Sequence, residues 1–91
     1  MGREQILFKS EEKMSAKQAA KLLRTIADKV EKGKVVLTRG NKETILKIPA
    51  RVEVEIKAEK ESGRKKTTKK LEIEIEWRVG DSSQAAPVEI R

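Results

Sequence analysis

The side chains in this chain that could carry acid–base or ligand chemistry are carboxylates, amines, guanidinium groups and hydroxyls, because the sequence contains no Cys, no His and no Tyr. The usual zinc, copper and iron sites draw on imidazole or thiolate, so none is expected, and neither is a disulfide framework. Acid–base catalysis would fall to Asp, Glu or Lys. Glu53, Glu55, Glu72, Glu74 and Glu76 occupy alternate positions of two strand-like runs and share one face. Paired carboxylates do the work of glycosidases, and carboxylate oxygens suit Mg²⁺ or Ca²⁺. Carboxylates standing parallel on a flat face do not converge, however, and tuning their pKa needs a desolvated cleft. They fit better as the solvated side of an amphipathic sheet, with Lys57 and Arg78 interspersed, where charge discourages aggregation. Ser15 has a capping role, and Ser10, Ser62, Ser82 and Ser83 sit in no nucleophile motif. Neither GxxxxGK[ST] nor GxGxxG is present. The expectation is a protein without cofactor, metal site or catalytic apparatus, and not an enzyme.

The cations are the sharper signal. Formal net charge is +7. Residues 15–34 carry six cations against two anions, and residues 61–70 carry five against Glu61 alone. Arg64, Lys65, Lys66, Lys69 and Lys70, at or near a hairpin tip, would reach phosphates and bind them by counterion release. Lys17, Lys21 and Arg24 on a helix offer a second contact. Lys17 opposes the helix dipole in the first turn and repels Lys21 four residues on, local costs that can mark an anion site. Against nucleic acid stand an acidic sheet face, the lack of a base-stacking aromatic pair (Phe8 and Trp77 are the only aromatics), and the use of lysine-rich loops for solubility. The leading reading is a small binding or scaffold module whose biological role and partner the sequence does not name; self-association is one option for it, the basic loop of one copy meeting the glutamates of another in a homodimer. The alternative is weak, salt-sensitive, non-specific binding of nucleic acid. Trp77 would anchor a partner if exposed, but its parity with Ile73 and Ile75 points it inward, against the helix.

These residues must be positioned by few elements. The 91 residues make one domain, and 36% hydrophobic against 41% charged residues implies a thin core of Val, Ile, Leu and Ala. Ile6-Leu7-Phe8-Lys9 is expected as a first strand. Ser15 and Gln18 form a capping box, and Ala19, Leu22, Leu23, Ile26, Ala27 and Val30 recur at three- and four-residue steps, which predicts a helix. Gly33 ends it in a left-handed conformation. Val35–Arg39 and Lys42–Ile48 flank Gly40-Asn41, a hairpin with a primed turn, and Pro49 marks its exit.

The strongest periodicity follows. Val52, Val54, Ile56 and Ala58 alternate with charged residues, as do Leu71, Ile73, Ile75, Trp77 and Val79. The apolar positions are even in the first run and odd in the second, so only an even-numbered loop puts both sets on one face. A two- or four-residue tip near Ser62-Gly63, or a longer even loop, is expected. Residues 80–91 are expected as a flexible tail, with Val88–Arg91 a weak edge-strand candidate, and residues 1–5 as an N-terminal extension to a 6–79 domain. The expected fold is α+β, one helix packed on a mainly antiparallel sheet in the order β-α-β-β-β-β. No apolar run approaches a membrane span, the first residues lack a secretory h-region, and position 6 is not Ser or Thr, so no membrane or lipid anchor is expected and the cytoplasm is the default.

The strand-like Ile6-Leu7-Phe8, the capped helix with Ala20-Lys21-Leu22-Leu23-Arg24-Thr25-Ile26-Ala27-Asp28-Lys29, the glycine and hairpin, and the final Leu71-Glu72-Ile73-Glu74-Ile75-Glu76-Trp77 together resemble the amphi-Trp domain, a small prokaryotic domain. The resemblance covers roughly residues 5–79. It implies the arrangement above and gives Trp77 its place after the amphipathic strand. It implies no activity and no catalytic or ligand residue.

Overall fold

The computed structural model describes residues 3–80. The tail and edge strand expected over 80–91 lie, apart from Gly80, outside the described residues. The chain divides into two compact units, residues 1–48 and 49–91.

The first unit holds one helix and one hairpin. Helix α1 spans Ala16–Lys32. Its start is the expected capping box: the Ser15 hydroxyl accepts from the Gln18 N–H at 3.0 Å, and the Ser15 N–H donates to Gln18 Oε1 at 3.1 Å. Two of the donors that a helix start leaves unpaired are thus satisfied locally. Lys32 pairs with Asp28 at 3.3 Å, one turn apart. Gly33 stops the helix at φ 87°, its N–H donating to the carbonyls of Lys29 and Val30. Its own carbonyl accepts from the Ile48 N–H at 2.9 Å, which closes the unit. A Cβ at Gly33 would meet only ordinary contact distances, so the left-handed backbone, rather than crowding, calls for glycine.

Strands β1 (Lys34–Arg39) and β2 (Lys42–Lys47) pair antiparallel from Lys34–Lys47 to Arg39–Lys42. The two-residue loop Gly40-Asn41 has positive φ at Gly40 (61°) and not at Asn41. That is the type II′ pattern, one of the primed turns whose twist suits a hairpin. Helix α1 packs on β1. Ala19, Ala20, Ile26 and Val30 on the helix and Leu37 and Leu46 on the hairpin are half-buried, and Val35 is buried. Val35, at 7% exposure, is the one buried hydrophobic residue among those described, whereas Leu22 and Leu23 remain about half exposed. The core is as thin as the composition implies.

The expected first strand at residues 6–9 is not formed: residues 3–15 contain neither helix nor strand, and the element order is α-β-β-β-β. The segment is instead tied to the hairpin by side chains. Thr44 Oγ1 donates to the Leu7 carbonyl at 3.3 Å, and the Arg39 guanidinium donates to the Lys9 carbonyl at 2.9 Å. A run of three apolar residues offers little to bury. Its carbonyls find side-chain donors rather than a neighbouring strand's amides.

The second unit is a long hairpin, β3 (Glu53–Ser62) with β4 (Thr67–Glu76), antiparallel. Its register is one of those that parity allows: Val54 opposes Ile75, Ile56 opposes Ile73, and Ala58 opposes Leu71. The loop is Gly63 to Lys66, four residues, closed by a 2.7 Å hydrogen bond from the Gly63 N–H to the Lys66 carbonyl. The ladder runs further toward the tip than the apolar alternation does, taking in Lys60-Glu61-Ser62 and Thr67-Thr68-Lys69-Lys70. Trp77 follows the last residue of β4 and is half-buried. The α+β class, with a helix on antiparallel strands, is as expected. The strands pair as two two-stranded sheets, β1–β2 and β3–β4.

Candidate functional site

The β3–β4 hairpin has three distinct chemical regions, each set by register. The first is the polar face. Near the tip, Lys57 opposes Glu72 and Glu59 opposes Lys70, four side chains in a square. Lys57 reaches Glu59 at 3.7 Å and Glu72 at 3.5 Å, and Lys70 reaches Glu59 and Glu72 at 3.4 Å each. Hydrogen bonding to Glu59 and then Glu72 raises the Lys70 pKa. The Lys70 hydrogen bond and charge, then the Lys57 charge, hold Glu72 below its ordinary value. All four side chains are about half exposed, so this lattice is screened by salt and aligns the strands more than it stabilises them.

Away from the tip the same face turns acidic. Glu55 opposes Glu74 and Glu53 opposes Glu76. The Glu55 carboxyl is pushed above its ordinary value, first by a hydrogen bond shared with Glu74, then by the Glu74 charge. A proton held between two carboxylates relieves their repulsion. These groups are exposed, and no group of three or more carboxylates among the described residues converges in a way that could hold a metal ion. The arrangement is the solvated face that alternation implies.

The second region is the tip. Arg64, Lys65 and Lys66 lie together in the four-residue loop, with Lys60 and Lys69 opposed on the ladder beneath it. Lys70, grouped with them on sequence grounds, is engaged in the ion-pair lattice. Lys17, Lys21 and Arg24 are exposed on α1, in the other unit.

The third region is the hairpin's apolar face, and sequence reasoning assigned it to the core. Within its own unit no element covers it. Ile56 is 69% exposed, Leu71 68%, Val54 55% and Ile73 51%. Ile75 continues the face toward the open end of the hairpin and is half-buried, as are Val52 and Trp77, which flank the paired residues.

The alternating strand β4 ends at Glu76, and Trp77 stands immediately after it. The family model of the amphi-Trp domain matches residues 1–91. The chain belongs to the amphi-Trp domain family. No activity is established for that family. No curated protein and no solved structure matches the chain. What distinguishes this amphi-Trp domain chemically is thus its amphipathic hairpin: an apolar face, a charged face graded from acidic to basic, and a cationic tip. No helix among the described residues is long and apolar enough to cross a membrane.

Proposed function

We propose that this amphi-Trp domain is a small non-catalytic binding and scaffold module of the cytoplasm, and that its working surface is the apolar face of the β3–β4 hairpin. The exposure of Val54, Ile56, Leu71 and Ile73 on one face carries this reading. Together they present on the order of 400 Å² of contiguous apolar surface, in the range where such patches on small proteins are often functional. The absence of His, Cys and Tyr and the flat, solvated glutamate face support a role in binding rather than in chemistry. The test replaces Ile56 and Ile73 together by Thr, which keeps β-branching and strand preference while introducing a hydroxyl on each. Both proteins are compared by circular dichroism and by the fluorescence of an apolar dye across a dilution series. Equal strand content with a weaker dye signal in the variant is the expected result. Equal dye signals at every dilution would remove this face as the working surface.

A second reading rests on the tip. Arg64, Lys65 and Lys66 crowd a four-residue loop, with the opposed pair Lys60 and Lys69 on the ladder beneath it. A protruding cationic knob of this kind suits phosphates. Fluorescence anisotropy with labelled single- and double-stranded DNA and RNA, at roughly 50 and 200 mM salt, tests it. Micromolar binding that collapses with salt, and that falls in Lys65→Glu/Lys66→Glu, would support it. No binding at low salt would leave the tip a solubility feature.

A further inference from the structure

We infer that the occupant of the apolar hairpin face is a second copy of this chain, packed face to face about a two-fold axis with the two hairpins pointing in opposite directions. This deepens the reading of the face as a binding surface and rests on it. Two-fold packing of one two-stranded sheet on another allows two choices of in-plane axis. An axis along the strands sets the hairpins in the same direction, tip on tip. An axis across the strands reverses them, tip on open end.

Charge decides between the two. The tip segment, residues 59–70, carries six cations (Lys60, Arg64, Lys65, Lys66, Lys69 and Lys70) against Glu59 and Glu61, a net +4. The flanking segments 52–58 and 71–78 carry five glutamates against Lys57 and Arg78, a net −3. The same-direction dimer would set +4 beside +4, whereas the reversed dimer sets +4 beside −3 at both ends. At physiological ionic strength exposed charges are screened beyond about 8 Å. The glutamates point away from the packed faces and lie beyond that range, so orientation is selected by Lys60 and Lys69 on the apolar side: same-direction packing crowds the four ammonium groups of the two copies together, reversed packing parts them, and apolar contact supplies the attraction.

The two ends of the apolar face also match. Centring the axis on the Ile56–Ile73 pair, the middle of the three apolar pairs, stacks each residue on the one equally far from the centre along the same strand. Ile56 meets Ile56 and Ile73 meets Ile73. Val54 meets Ala58, and Ile75 meets Leu71. Lys60 then falls over Val52, and Lys69 over Trp77 of the other copy. Lys60 and Lys69 are directly opposed like charges on the apolar side of the ladder, an arrangement that costs stability in a lone hairpin. In the reversed dimer, the indole of Trp77 receives the Lys69 ammonium, a favourable cation–π contact, and lysine stems cover apolar surface. Adding these stems and the half-buried positions brings the interface to about 1,000 Å² over both copies, the lower bound for a specific dimer and one that fits micromolar affinity.

The chain has no cysteine, so Glu61→Cys on the polar face accepts a single spin label. Molar mass by sedimentation establishes the dimer, and the distance between labels its orientation. Position 61 lies five residues from the centre. At 3.2–3.4 Å per residue and about 10 Å between sheets, reversed hairpins put the labels about 35–40 Å apart, and same-direction hairpins within about 20 Å. A dimer with the long distance supports the inference, and loss of that distance on Ile56→Thr/Ile73→Thr ties it to this face. A dimer with the short distance overturns the orientation. A monomer at all concentrations overturns the inference. In that case a wild-type dye signal above that of the Thr variant would leave the face a site for some other partner, whereas equal signals would remove both proposals.

Discussion

Ile56→Ala tests the energetics of the hairpin face directly. The substitution removes three carbons, each worth about 0.8 kcal/mol when moved fully from water into an apolar contact. Ile56 is 69% exposed in the isolated chain, so about 1.7 kcal/mol of that transfer remains for a partner to provide. The two-fold axis repeats the loss in both copies, giving about 3.3 kcal/mol, and 1.4 kcal/mol is tenfold in affinity. That figure assumes complete burial at the interface, so the dimer dissociation constant is expected to rise between about 30- and 200-fold. Sedimentation equilibrium over a concentration series reads this change, with circular dichroism to establish that the hairpin is retained. The control is Ile6→Ala. Ile6 is 76% exposed, more than Ile56, but belongs to the irregular segment before α1. It is expected to change the constant by less than a factor of two. Equal effects of the two substitutions, or none at Ile56, would refute the claim that this ladder carries the association.

Other perturbations address single features of the fold. Val35→Ala empties the one buried hydrophobic position among the described residues and is expected to lower stability by about 2 kcal/mol, measured by denaturant unfolding. Ser15→Ala removes one arm of the capping box at a cost of about 1 kcal/mol, seen as a lowered helix melting point. Glu74→Gln removes the charge and the shared proton that raise Glu55, so the Glu55 pKa, followed by carboxyl NMR, is expected to fall back toward its ordinary value of 4.5. The sign for stability follows. A raised Glu55 contributes stability at pH below 4.5 that is lost as pH rises through its raised value. The lowered Glu72 contributes above 4.5 and loses its contribution as pH falls through its lowered value. Glu74→Gln is expected to abolish the first dependence and leave the second. Persistence of the first would mean that the Glu55–Glu74 pair does not govern it.

Local rules carried most of what could be foreseen. The Ser15–Gln18 capping box, the left-handed Gly33 and the primed turn at Gly40 are each set by a few adjacent residues, and each formed as expected. Parity put the apolar residues of both strands on one face and limited the tip to an even length, because a one-residue slip would exchange apolar side chains for glutamates across the face; that Ile56 opposes Ile73 follows from the four-residue loop the structure adopts. Non-local choices were less legible. Whether Ile6-Leu7-Phe8 becomes a strand depends on a partner ladder, and the carbonyls of Leu7 and Lys9 go to Thr44 and Arg39 instead. Alternation identifies an apolar face but not what covers it. The side of the hairpin carrying Ile56 and Leu71 therefore looked like core and is exposed. The tip cations were legible as a cluster, but Lys70 is drawn into the lattice with Glu59 and Glu72, which only the register reveals.

The most direct measurement is the molar mass of the unaltered chain by sedimentation velocity, from about one to several hundred micromolar, the range that brackets a micromolar dimer. Movement from 10.3 kDa toward twice that mass as concentration rises, suppressed in Ile56→Thr/Ile73→Thr, is the expected result. A species of 10.3 kDa at every concentration, or a dimer that the double variant leaves intact, would contradict the assignment of the hairpin face as the surface through which this amphi-Trp domain self-associates.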